Sequence, residues 1–154
     1  MANTYTQLFV HVVFGVQGRQ NFIPAHHRET LHRFLTAMLQ NDGHKMLAVF
    51  CMPDHVHFLA GINPAISISD MVLDVKRAST NFINSACGNN RHFHWQKGYG
   101  AFSYSKQQVP QVINYILNQE AHHQKKTFRE EYLAFLNIFD IAYDDRYVFE
   151  FYEE

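Results

Sequence analysis

Residues 45–62 read Lys-Met-Leu-Ala-Val-Phe-Cys-Met-Pro-Asp-His-Val-His-Phe-Leu-Ala-Gly-Ile. Two runs of apolar and β-branched residues flank Met52-Pro53-Asp54, which carries a turn signature. Lys45 to Met52 and His55 to Ile62 are therefore predicted to be strands joined by a tight turn. Side chains alternate along a strand, so His55 and His57 share one face, roughly 7 Å apart. Val56, Phe58 and Ala60 take the other face and read as the core side. The histidines are thus expected on a sheet face that the helices leave uncovered.

Working outward, Thr4 to Val16 reads as a strand with Thr6, Leu8, Val10, Val12 and Phe14 on one face and Gln7, Phe9 and His11 on the other. Pro24 sits where a first-turn helical proline belongs. Leu31, Phe34, Leu35, Met38 and Leu39 follow at helical spacing until Asn41-Asp42-Gly43. A second helix opens after Asn63-Pro64, with Ser67 or Ser69 as N-cap and Ile68, Val72, Val75, Phe82, Ile83 and Ala86 as its apolar stripe. Gly88 to Arg91 reads as a polar loop, and His94 to Lys106 as a loop running into a strand. A third helix starts near Val109-Pro110, and Thr127 with Glu130 forms a capping box for a fourth. No element is assigned from Ile141 onward.

Up to Lys106 the order is β-α-β-β-α-β, an α+β, ferredoxin-like arrangement with an antiparallel sheet and helices on one face. The C-terminal helices carrying Tyr115 follow. The expected organisation is one domain over residues 1–154, with a core at 1–106 and the tyrosine helix and extension at 107–154.

At 154 residues, 47% apolar and 18% charged, the chain suits one folded domain and not a disordered tail. Cys51 and Cys87 form no Cys-x-x-Cys pair and read as reduced thiols. No stretch approaches the roughly 20 apolar residues of a membrane span, so a cytoplasmic location is expected. The net charge is −1. That disfavours tight nonspecific binding to duplex DNA and favours an interaction that reads structure.

His55 and His57 have a workable spacing for two ligands of one metal ion. With 11 histidines in the chain, two unrelated histidines is the competing reading, and His92-Phe93-His94 is a second such triplet. On the third helix, Val112, Ile113, Ile116 and Leu117 form an apolar stripe. Tyr115 falls roughly 130° from its centre, with Gln119 about 40° from Tyr115 and His122 nearby. A surface tyrosine with polar neighbours is the plainer reading. As a nucleophile it needs help, because the ordinary phenol pKa is about 10, and a metal-polarised phosphate would supply that help.

Met52-Pro53-Asp54-His55-Val56-His57-Phe58-Leu59 resembles the signature of HUH endonucleases. Tyr115-Ile116-Leu117-Asn118-Gln119 resembles the Y-x-x-x-Q element of their single-tyrosine transposases, those of IS200-like insertion sequences. Trp95 to Ser103 and the order of elements are also similar. The resemblance implies Tyr115 as nucleophile, His55, His57 and Gln119 as metal ligands, and Mg²⁺ or Mn²⁺ as cofactor. It further implies a bacterial or archaeal homodimer whose sites can be built from both subunits. The substrate it implies is single-stranded DNA with imperfect hairpins near an element's ends. Two transesterifications through a 5′-phosphotyrosine would exchange strands without hydrolysis.

Lys76, Arg77, Lys97, Lys106 and His122 are the candidate DNA contacts. His122 and His123 could contact DNA or serve the metal, and Arg19 and His11 are lesser candidates. Three other readings stay open: a zinc hydrolase using the histidine pair to activate water, a non-catalytic ferredoxin-like nucleic-acid-binding module, and an inactive transposase relative that only binds hairpins.

Overall fold

A strand buried on both faces needs cover on both sides, and β3 (His55–Gly61) is such a strand, with every residue from His55 to Ala60 buried. The computed structural model, which describes residues 3–86 and 93–152, supplies that cover as three layers. β1 (Phe9–Gly15), β2 (Lys45–Cys51), β3 and β4 (Gly100–Tyr104) form one antiparallel sheet in the order β2-β3-β1-β4. α1 (Arg28–Asn41) and α2 (Ile68–Ala86) cover one face. α3 (Val109–Leu117), α4 (Gln119–His123) and α5 (Phe128–Ile138) lie on the other.

The expected β-α-β-β-α-β order and sheet are present. The histidine face, however, is not uncovered: the C-terminal helices close over it, and both histidines are fully buried. β1 is also shorter than expected. It begins at Phe9, opposite Gly61 and Tyr104, where both neighbouring strands end. Residues 4–8 have little left to pair with and are exposed. Pro24 precedes a 3-10 turn over Ala25–His27, and α1 starts only at Arg28. Cys87, His92 and the loop from Gly88 to Arg91 lie outside the described residues.

Val12, Phe14, Val56 and Phe58 pack with Leu31, Leu35, Met71, Val75 and Trp95 beneath α1 and α2. Full burial of each such side chain contributes about 1.5–3 kcal/mol. Ser67 caps α2 by accepting from the Asp70 amide at 3.1 Å, and Trp95 Nε1 donates to Ser79 Oγ of that helix at 2.8 Å.

On the second face, the capping box predicted at Thr127 is present. Thr127 Oγ1 accepts from the Glu130 amide at 3.1 Å, and Glu130 Oε1 accepts from the Thr127 amide at 3.2 Å, a cap contributing about 1 kcal/mol. It fixes where α5 begins, and so where Phe128, Glu131, Tyr132, Phe135, Leu136 and Phe139 meet the sheet. Gly100 makes room for that docking: a Cβ there would lie 2.8 Å from the Tyr132 ring. The segment after α5 runs back to Gln96, whose side-chain amide donates to the Glu150 carbonyl and whose Oε1 accepts from the Glu150 amide.

Candidate active site

His55 and His57 project from β3 toward α5, their ring centroids 5.0 Å apart. His55 is clamped between its neighbours. Its Nδ1 donates to Asp54 Oδ1 at 2.7 Å, and its ring stacks on Phe128 at 3.9 Å and 2°. Gly15 stands opposite His55 in the register, so no side chain from β1 intrudes on that stack.

Glu131 is the hub. Its Oε1 accepts from His57 Nε2 at 2.8 Å and from His123 Nε2 at 3.2 Å. Its Oε2 accepts from Gln119 Nε2 at 3.1 Å and from the Tyr115 hydroxyl. Gln119 Oε1 in turn accepts from His123 Nε2 at 2.9 Å. One donor atom each from His55, His57, His123 and Glu131 lies within 4.8 Å of the others. His55 Nε2 is buried, 3.5 Å from Glu131 Oε1, and has no hydrogen-bond partner. An unpartnered imidazole nitrogen aimed at two other imidazoles and a carboxylate is what a cation site requires, and the residues fit a metal ion.

The charges respond to this crowding. Burial pulls the His55 imidazole down, but the Asp54 and Glu131 carboxylates outweigh it and raise its pKa to about 9. Burial pushes Glu131 up, yet His57, His123 and His55 hold it well below the carboxylate range. Burial lowers His57 and His11. Burial, reinforced by the Glu131 charge, raises the Tyr115 phenol. A metal on His55 Nε2 must displace a proton that leaves only near pH 9. Proton competition weakens binding at lower pH, so Mn²⁺ affinity is expected to rise about tenfold per pH unit between pH 6.5 and 7.5, measured by isothermal titration calorimetry.

Sequence reasoning did not find Glu131 or Asp54 as site residues, and it left His123 between two roles. The signal for Glu131 was available: it falls on the α5 stripe Phe128, Tyr132, Phe135, Leu136, a carboxylate at a core position among aromatics. His123 sits four residues after Gln119, on the same helical face. His11 was read as an opposite-face residue of β1 and a minor candidate contact. It is fully buried, with Nε2 2.7 Å from His57 Nδ1 and rings stacked at 5.0 Å. Because His57 Nε2 donates to Glu131, neutral His57 accepts at Nδ1 from His11 Nε2. A metal held by His57 Nε2 would reverse that bond and make His11 the acceptor. His11→Phe is expected to weaken Mn²⁺ binding about 10–100-fold, as loss of such a partner does elsewhere. His11→Gln, which keeps an acceptor, is expected to recover most of it in the same titration.

Tyr115 lies half-buried over the sheet, its ring 4.5 Å from His122 and 6.2 Å from His57. The stripe expected on α3 is rotated. Val112, Tyr115, Ile116 and Gln119 face inward, while Leu117 is 52% exposed. Tyr115 and Gln119 turn inward because Glu131 and His123 meet their polar ends. The helix also breaks at Asn118, so Gln119 opens α4. Arg28 of α1 pairs with Glu120 and ties α4 to the first layer.

The proposed DNA contacts are placed differently from one another. Lys76 donates to the Gln96 and Gly98 carbonyls at 2.8 and 2.6 Å and lies over the Phe14 ring, so its ammonium holds a loop. Burial lowers its pKa to about 8. Arg77, Lys97 and Lys106 are exposed, and His122 is half-buried against Tyr115.

The family of IS200-like transposases matches residues 4–119, which include His55, His57, Tyr115 and Gln119. The chain belongs to that family. No curated protein matches the chain. Among solved structures, this transposase is similar to a protein described as a transposase from Deinococcus radiodurans R1, at 25% identity and a TM-score of 0.61, covering 77% of this chain and 95% of that one. It also resembles a REP-associated tyrosine transposase bound to a REP hairpin, at 13% identity and a TM-score of 0.58, covering 80% of this chain and 73% of that one. The second likeness is one of fold. His123 and Glu131 of the transposase lie beyond the residues the family matches. None of the described helices is long and apolar enough to cross a membrane.

Proposed function

We propose that this transposase cuts and rejoins single-stranded DNA by metal-assisted transesterification, with Tyr115 as the covalent nucleophile. The observation that carries the reading is the meeting, within one chain, of the Tyr115 hydroxyl with a carboxylate that also bridges to His57 and His123. His55 and His57 are the proposed ligands, completed from Glu131, His123 and Gln119. The ion would polarise the scissile phosphate and neutralise its charge. Three imidazoles and one carboxylate suit Mn²⁺ better than Mg²⁺, which prefers oxygen.

The chain's own residues do the rest. Tyr115 Oη forms the bond to phosphorus, and its proton has a neighbouring acceptor in Glu131. The bond from phosphorus to the 3′ oxygen breaks, the proton given up by Tyr115 passes to that oxygen, and the strand departs as a 3′-hydroxyl while a 5′-phosphotyrosine remains. Attack by a second 3′-hydroxyl reverses the step, so the phosphodiester bond energy is conserved. His122, stacked on the phenol, fixes its direction of approach. Imperfect hairpins at an element's ends are the proposed recognition feature. Arg77, Lys97, Lys106 and His122 are the contacts favoured for DNA, Lys76 already being engaged with its loop. A homodimer is the proposed working form.

The test is incubation with labelled single strands carrying hairpins from the flanking genomic sequence, with Mn²⁺ or EDTA, resolved on denaturing gels. A protein–DNA adduct that survives denaturation and needs the metal supports the reading. Cleavage with no adduct would make water the nucleophile and turn the site into that of a metal-dependent hydrolase, which its histidine-rich donor set also suits.

A further inference from the structure

After α5 the chain returns to the sheet as Val148-Phe149-Glu150-Phe151-Tyr152, three aromatic residues around one acid. Alternation along an extended segment puts Phe149 and Phe151 on one side and Glu150 on the other. Both phenylalanines meet Phe128, with ring centroids 5.8 and 5.2 Å away. Gln96, itself buried, grips the residue between them. Its side-chain amide donates to the Glu150 carbonyl and its Oε1 accepts from the Glu150 amide, both at 2.7 Å. The same side-chain nitrogen donates to the Val16 carbonyl at 3.0 Å, and the Gly18 amide donates to the Tyr152 hydroxyl at 2.7 Å. The segment is thus pinned to the chain just beyond β1.

The ring it backs is the one that lies against His55. Phe128 meets Tyr132, Phe149 and Phe151 at 54°, 25° and 75°, but meets His55 flat, at 2° and 3.9 Å. A flat stack constrains what a hydrogen bond leaves loose. The Asp54 bond places His55 Nδ1, yet such bonds tolerate tilt and weaken steeply only below about 120°. The Phe128 face removes that tilt. Together the two restraints send Nε2 toward Glu131 and the other imidazoles, where it has no hydrogen-bond partner. Phe128 opens α5, so no preceding helical turn packs against its ring, and Gly15 beside it brings no side chain. The segment at 148–152 supplies the missing backing.

We propose that Phe128 is a positioning residue for the metal ligand His55, and that Phe149 and Phe151, locked by Gln96, hold Phe128 in place. The inference rests on the histidine metal site proposed above. The three phenylalanines lie beyond residues 4–119 that the family matches, so a part of the chain outside the shared motifs sets the direction of a ligand inside them.

The test reads His55 directly. In the metal-free protein, proton NMR should find the His55 ring protons shifted upfield by the flat Phe128 ring. Phe128→Leu, which keeps apolar bulk without a ring face, is expected to abolish that shift. It should also weaken Mn²⁺ about 10–100-fold in calorimetric titration, the scale for losing a partner that orients a ligand. Phe128→Tyr keeps the face and should keep both readings. The Phe149→Leu/Phe151→Leu double variant is expected to reduce the shift and weaken Mn²⁺ about tenfold. Should it fail to fold, the half-buried Phe151→Leu alone carries the same test. Leu39→Val, which loosens the core on the opposite face of the sheet, should change neither reading. Wild-type shift and affinity in the Phe149 and Phe151 variants overturn the proposal, as does an equal loss in Leu39→Val. If the wild-type protein takes up no Mn²⁺, the metal site itself fails, and the ring shift still decides whether this segment orients His55.

Discussion

Tyr115→Phe is expected to lower adduct formation by at least about 10⁴-fold, the scale on which loss of a covalent nucleophile acts in other enzymes. Mn²⁺ binding should survive, because the phenol bonds the outer oxygen of Glu131 and not the one shared by His57 and His123. The fold should survive too. The ring keeps its contacts with His122 and Phe135, and Glu131 Oε2 keeps the Gln119 donor, so the loss is about one hydrogen bond, roughly 1 kcal/mol. The measurement is single-turnover labelling of the protein with end-labelled DNA, beside a calorimetric Mn²⁺ titration of the same sample. Unaltered cleavage by the variant would remove Tyr115 from the chemistry.

Glu131→Gln is the second large effect. The substitution keeps volume but removes the charge that faces three imidazoles in a buried site, and it exchanges one acceptor oxygen for an amide nitrogen that can only donate. Leaving the His55 imidazolium with Asp54 alone is expected to destabilise the metal-free protein by about 3–5 kcal/mol, the cost of breaking a buried ion pair. Loss of an anionic donor should weaken Mn²⁺ by on the order of 100-fold or more, at or beyond the upper end of what losing a supporting partner costs. Denaturant melts of the metal-free form separate the first effect from the second. Gln119→Ala is the informative companion: if its carbonyl ligates the metal in place of Glu131, the two variants exchange rank in the titration.

The antiparallel core was legible because its signals are local. Alternation set β2 and β3, caps set α2 and α5, and the Pro-Asp turn set the hairpin register that puts His55 and His57 on one face. What the local pattern misjudged was the meaning of polarity on that face. Histidines on a strand and a tyrosine on a helix read as solvent-facing only while their partners are unknown, and those partners sit 16 to 74 residues away. No spacing rule links Glu131 to His57. Tertiary contact does, after the Thr127 cap has fixed the phase of α5. The same cause rotated the α3 stripe: Leu117 is more apolar than Tyr115, but only Tyr115 has a buried carboxylate to meet.

That Tyr115 and the histidine cluster belong to one chain has a stoichiometric consequence. If Tyr115 is the nucleophile, as proposed, each chain brings one such phenol to its own histidine cluster and can hold one broken strand at a time. An element has two ends. On that reading, handling both at once takes two chains, and the proposed homodimer would serve to count and pair ends.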